Sequence, residues 1–230
     1  MPIPEEVIAR HWITAGSNEL WGTQGTYSRV EYSRLPVLPP IRSPFDWLSE
    51  LPTRSYSCTL DSDDNAIATF AGIEAEIQSL GFCIPEDFRI FVTRPDIQAQ
   101  VPSCTACYLE LSDTVTPLPG WPGSYVLRFM NDSQSCVLWY LLFQPQTPVR
   151  VLASSCFLER DIFDAMEYES EMDEPLRYED ILRECFICAG SFGEFIFRFC
   201  IENTIWFATH PKVSLAPCEL AYLHAAQKTA

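Results

Sequence analysis

The sequence predicts an α+β fold, a central and mostly antiparallel β-sheet flanked by helices, and three observations carry that prediction. Apolar residues between Tyr125 and Ala153 come in three short bursts separated by turns, the pattern of a meander. Upstream, Phe70, Ile73, Ile77 and Leu80 recur at helical spacing. Downstream, Ser191–His210 is an aromatic run that opens on a capping signature.

In chain order, residues 1–54 are rich in Trp, Tyr and Pro, with Leu35–Pro40 and Ser43-Pro44 as punctuation. They read as an extended N-terminal segment packed on the domain, with Trp12, Trp21 and Trp47 as anchors. The domain proper is expected over 55–230. Asp61–Asn65 offers N-caps for an amphipathic helix of about four turns that carries Phe70, Ile73, Ile77 and Leu80 and stops at Gly81. Pro85 opens a second short helix that must end before Pro95. Tyr108–Leu111 is a possible strand. In the meander, Tyr125–Met130 alternates, Asn131–Ser135 turns, Val137–Phe143 is almost wholly apolar, and Val149–Ala153 completes the set. An unbroken apolar strand needs cover on both faces, and the helix after Ser191 is the natural lid.

That helix pairs Ser191 with Glu194 as a capping box. Phe192, Phe195, Ile196, Phe199, Cys200, Trp206 and Phe207 form one apolar side, and Phe197, Ile201 and Ile205 another. Glu194, Arg198 and Glu202 leave a narrow polar stripe in which Arg198 can pair with either glutamate. Its three charges break the apolar run well short of the roughly 20 residues that span a bilayer. Before the helix lies an acidic loop, 159–184, with eleven acids against three arginines, a net −8. Self-repulsion there favours a solvated segment. Ser214–Ala230 reads as a short terminal helix.

With 31 acidic and 15 basic residues, a formal charge of −16, the average field repels nucleic acid and suits a basic protein partner. A hydrophobic content of 47% excludes global disorder. The first twelve residues have neither a basic n-region nor an apolar h-region, so a cytoplasmic location is expected. Ten cysteines, among them Cys136, Cys185, Cys188 and Cys200 in apolar stretches, then read as reduced core thiols.

Chemistry-bearing motifs are sparse. Cys104/Cys107 and Cys185/Cys188 are C-x-x-C pairs, but their separation exceeds ribbon spacing and neither sits in a Gly-rich knuckle, so a structural zinc is the weaker reading against core packing. His11, His210 and His224 lack motif partners, and His210 suits the negative end of a helix dipole. The acids of 159–184 lack the spacing of a calcium loop. No catalytic residue, metal or cofactor is expected.

Several strings resemble the SUKH superfamily, also called the Smi/Knr cell-wall-regulator-like family. Leu80-Gly81 through Pro85-Glu86-Asp87-Phe88 resembles its helix-end motif, and Asp132 with Gln134, followed by Trp139-Tyr140-Leu141, resembles its meander. Ser191, Phe192, Glu194 and Phe195 resemble its "SFEEF" helix start, and Arg198-Phe199, Glu202-Asn203 and Trp206-Phe207 resemble its bacterial extension. Gly193 and Cys200 depart from the pattern, and the resemblance covers roughly residues 64–210. It implies a non-enzymatic protein-binding module, in bacteria commonly an immunity protein of a toxin–antitoxin pair. On that expectation the partner surface lies at Glu167, Glu169, Glu171, Asp173 and Glu174. A regulatory or scaffold protein docking a host protein, with no toxin partner, is the alternative.

Overall fold

The apolar run at 137–143 becomes a strand covered on both faces, and the rest of the fold is arranged around it. The computed structural model describes residues 9–15, 26–41, 44–62, 65–118, 121–160, 178–209 and 213–229. In chain order these form β1 (His11–Ala15), β2 (Tyr27–Glu31), β3 (Asp61–Ser62), α1 (Asn65–Ser79), α2 (Glu86–Thr93), α3 (Pro95–Gln98), β4 (Tyr108–Leu109), β5 (Thr116–Pro117), β6 (Tyr125–Asn131), β7 (Leu138–Phe143), β8 (Arg150–Ser154), α4 (Tyr178–Arg183), β9 (Cys185–Ala189), α5 (Phe192–Thr209) and α6 (Pro217–Thr229). Short 3₁₀ turns at Tyr32–Arg34 and Asp46–Glu50 punctuate the N-terminal segment.

The main sheet has the order β3-β4-β6-β7-β8-β9, with β5 also on β6, and every pairing except β3 with β4 is antiparallel. The expected meander is its centre, with Trp139 opposite Met130 on one side and Ala153 on the other. A bulge between Arg128 and Met130 places the neighbours Phe129 and Met130 in one core layer, where strict alternation would separate them.

One sheet face carries Leu127, Phe129, Trp139, Leu141 and Phe143 against α1, α2 and α5. At its centre the Phe192 ring meets Phe88 edge-on at 5.0 Å and Phe129 at 5.5 Å, and Phe195 meets Phe129 at 5.5 Å. Such edge-to-face pairs add about 0.5–1.5 kcal/mol each beyond area burial, which fixes α5 on the sheet. The opposite face carries Val126, Tyr140, Leu142, Leu152 and Ile187, capped by Trp121, Leu158 and Ile181.

That second layer corrects the reading of 159–184 as one solvated loop. Residues 158–160 make a helical turn, α4 packs Ile181 on the sheet, and Cys185 already belongs to β9. Glu159 is fastened to the Arg128 guanidinium and to the Tyr140 hydroxyl at 3.2 Å. Only the stretch 161–177 is left of the loop, and it lies outside the described residues.

The N-terminal segment holds a hairpin, β1 with β2, rather than extended chain alone. Arg10 bridges Ile187, and the Ile187 N–H donates to the Ala9 carbonyl at 3.2 Å, so the hairpin covers the β9 edge that would otherwise template further pairing. Trp12, Val30, Leu35, Phe45 and Trp47 join the same core as the sheet, while Trp21 lies outside the described residues. At the other end of the chain, the fully buried Glu219 accepts the Ala216 N–H at 2.7 Å and an Arg54 clamp, which pins α6 to the N-terminal segment.

Candidate functional site

The polar stripe of α5 is buried. Arg198 is 4% exposed and Glu202 2%, and a charge so placed needs partners or it destabilises the fold by several kcal/mol. The partners come from both chain ends. Glu202 accepts the Trp12 indole N–H at 2.8 Å through Oε2 and the Tyr222 hydroxyl at 2.8 Å through Oε1. Arg198 donates to the Tyr222 oxygen at 3.4 Å, to the Pro36 carbonyl at 2.9 Å and to Glu194 at 3.2 Å. Tyr32 donates to the same Glu194 carboxylate. Burial first, then the Glu202 carboxylate, pushes Tyr222 ionisation well above the ordinary phenol range, so it remains a donor. Of the two glutamates available to Arg198, it pairs with Glu194; Glu202 is engaged by Trp12 and Tyr222.

This network frames a groove of about 710 Å³. Its floor is Phe197 and Ile201 of α5 with Trp47, one wall is α6 through Ala221, Tyr222 and Ala225, and the other is the proline-rich run 36–41. Arg198 holds that wall by its backbone, leaving Val37 97% exposed. Among the described residues the only charges lining the groove are Asp46 and Glu50. Both are exposed, and neither is in an ion pair among the described residues. The groove therefore offers apolar area, proline-stiffened on one side, and two exposed carboxylates at its edge. The string LPVLPP signalled the wall, but nothing local told that a helix some 180 residues later faces it.

The residues singled out from sequence fall mostly into the core. Ser191 accepts the Glu194 N–H at 3.1 Å, but the returning arm of the capping box reaches Gly190 N–H at 3.0 Å, one residue early. Phe192 and Phe195 fill the aromatic centre, Trp139 is buried beneath them, and Trp206 lies half-buried edge-on to Phe207. Pro85 forms the N-cap of α2. Asp132 closes the β6–β7 turn by accepting the Cys136 N–H at 2.5 Å. Gly193 has a reason: a Cβ there would lie 2.8 Å from Asp87 Oδ2, whose carboxylate also takes the Phe88 N–H at 2.9 Å. Glu167, Glu169, Glu171, Asp173 and Glu174 lie outside the described residues, as does His210.

None of the ten cysteines is in a disulfide. Cys136 is exposed at the turn, against the expectation of a core thiol, whereas Cys185, Cys188 and Cys200 are buried. Cys185 and Cys188 stand three residues apart on β9 and belong to opposite core layers, so they cannot share a metal ion. Burial pushes the Cys104 and Cys185 thiols up to about 12. Among the described residues no group of three or more His, Cys, Asp or Glu side chains is placed to hold a metal, and no helix is long and apolar enough to cross a membrane. No family model, no curated protein and no solved structure matches the chain.

Proposed function

We propose that this chain is a non-enzymatic protein-binding module of the SUKH type, an immunity protein that binds and occludes a basic toxin domain. The observation that carries the reading is the segregation of charge. The charges of α5 are consumed in holding the fold, while the stretch 161–177 carries seven acids against one arginine, a net −6. A basic partner approaching that stretch gains encounter rate and complementary potential, and nucleic acid is repelled by the same field. Ten cysteines outside any disulfide fit work in a reducing compartment such as the cytoplasm.

The test is growth protection. A toxin domain encoded beside this chain's gene should arrest a bacterial host when expressed alone, and co-expression of this chain should restore growth. Changing Glu167, Glu169, Glu171 and Glu174 to Gln and Asp173 to Asn should abolish protection at unchanged thermal stability. Equal protection by that variant would remove the acidic stretch from the interface. Failure of the unmodified chain to protect against any neighbouring toxin would leave the regulatory or scaffold reading in its place.

A further inference from the structure

We infer that the groove between the proline-rich wall and α6 binds a partner polypeptide segment in which apolar side chains are flanked by Lys or Arg. The inference rests on the reading of the chain as a protein-binding module and adds a second surface, remote in sequence from the acidic stretch, with the chemistry of what fits it.

The size of the cavity suits several apolar side chains at once. Its walls decide how they enter. Pro36, Pro39 and Pro40 lack backbone N–H groups, so half of the run 36–41 gives no donor to a hydrogen-bond ladder, which favours recognition through side chains laid into the groove. Charge decides the rest. The lining carries Asp46 and Glu50 and no cation among the described residues, and both carboxylates are exposed on a 3₁₀ turn at the rim. A cationic flank meets two exposed carboxylates there, whereas an anionic flank meets like charge in a chain of net −16. The Tyr222 hydroxyl in the α6 wall is already committed to Glu202 and Arg198, so it makes no polar demand that an apolar side chain leaves unmet.

The experiment uses the full chain and three blocked decapeptides of equal length, each with four leucines and with three lysines, three serines or three glutamates, titrated by calorimetry at two salt concentrations. The lysine peptide should bind, the glutamate peptide at least about tenfold more weakly, with the difference shrinking at high salt. Ala221→Trp, an exposed site facing the groove, should weaken the lysine peptide at least about tenfold. Val37→Lys, at a fully solvated position, should weaken it about threefold to tenfold, and Asp46→Asn with Glu50→Gln should abolish the preference of lysine over serine. Circular dichroism matching the unmodified chain certifies each variant.

Equal binding of lysine and glutamate peptides, or binding untouched by both Ala221→Trp and Val37→Lys, overturns the inference. So does self-association that Ala221→Trp abolishes while no peptide binds, which would give the groove to a second copy, or full displacement by octyl glucoside with no charge preference, which would give it to an alkyl chain. Peptide binding by a chain that confers no growth protection supports the groove and removes the immunity reading. Growth protection retained in full by Ala221→Trp removes the groove from the toxin interface and leaves the immunity reading standing.

Discussion

Glu202→Ala tests whether the two chain ends are held by one buried carboxylate. Glu202 sits on α5 with both oxygens engaged at 2.8 Å, one by the Trp12 indole and one by the Tyr222 hydroxyl. Hydrogen bonds to a buried charge contribute about 1.5–3 kcal/mol each, and truncation leaves two buried donors without an acceptor. The expected loss is therefore about 3–5 kcal/mol, a large share of the roughly 5–15 kcal/mol that holds a domain together. Glu202→Gln should fall between, because the amide keeps one acceptor and turns a donor toward the other partner. Urea unfolding followed by far-ultraviolet circular dichroism reads the stability, and the pair is isolated by a double-mutant cycle with Trp12→Phe, which removes the N–H and keeps a ring in place. A coupling of about 1.5–3 kcal/mol is expected. A coupling under about 0.5 kcal/mol, or a loss under about 1 kcal/mol for Glu202→Ala, would refute the argument that this carboxylate anchors the N-terminal hairpin.

Other expectations follow from the same geometry. Gly193→Ala should cost about 1 kcal/mol despite the usual helix preference for alanine, because its Cβ meets the Asp87 carboxylate at 2.8 Å, and the same change in an Asp87→Ala background should gain about 1 kcal/mol; loss of equal size in both would deny the close approach. Burial pushes the Asp87 carboxyl above the ordinary aspartate value of 3.8, against the backbone N–H groups of Phe88 and Gly193. The folded state thus keeps the proton longer than the unfolded one, so stability of the wild type relative to Asp87→Asn should be highest below pH 3.8, fall as pH climbs through the raised folded value, and stay flat above it; a rise over that window would reverse the sign. Iodoacetamide under native conditions should label Cys83 and Cys136 first, and Cys188 and Cys200 only after unfolding, as read by peptide mass spectrometry; early labelling of Cys200 would contradict its burial.

Local patterns were legible in the sequence where their cause is local. The meander declares itself because strand alternation and turn residues act within a few positions, and α5 declares itself through Ser191, Glu194 and its aromatic spacing. The stripe of Glu194, Arg198 and Glu202 was visible as charge, but its burial was not, because Trp12 stands 190 residues from Glu202 and Pro36 162 from Arg198. The same holds for Arg54, which clamps Glu219 across 165 positions. β9 was hidden because five apolar residues after a run of charges carry too little periodicity to separate strand from loop. Its cysteines also show how spacing misleads: a C-x-x-C pair that would share a ligand in a turn is split between two faces by a strand. Of the candidate site, the acids before α5 could be named from composition, whereas the groove exists only once residues 36–41 and 46–51 lie beside α6.

The proline-rich wall is held through the Pro36 carbonyl, an atom that every amino acid possesses. Substitutions at 37 or 41, whose side chains are exposed, therefore leave the attachment itself intact while Arg198, Glu194 and Tyr222 keep their bonds. The fold in this way separates frame from surface: two helices hold the run through one backbone atom, and the exposed side chains beside it carry none of that attachment.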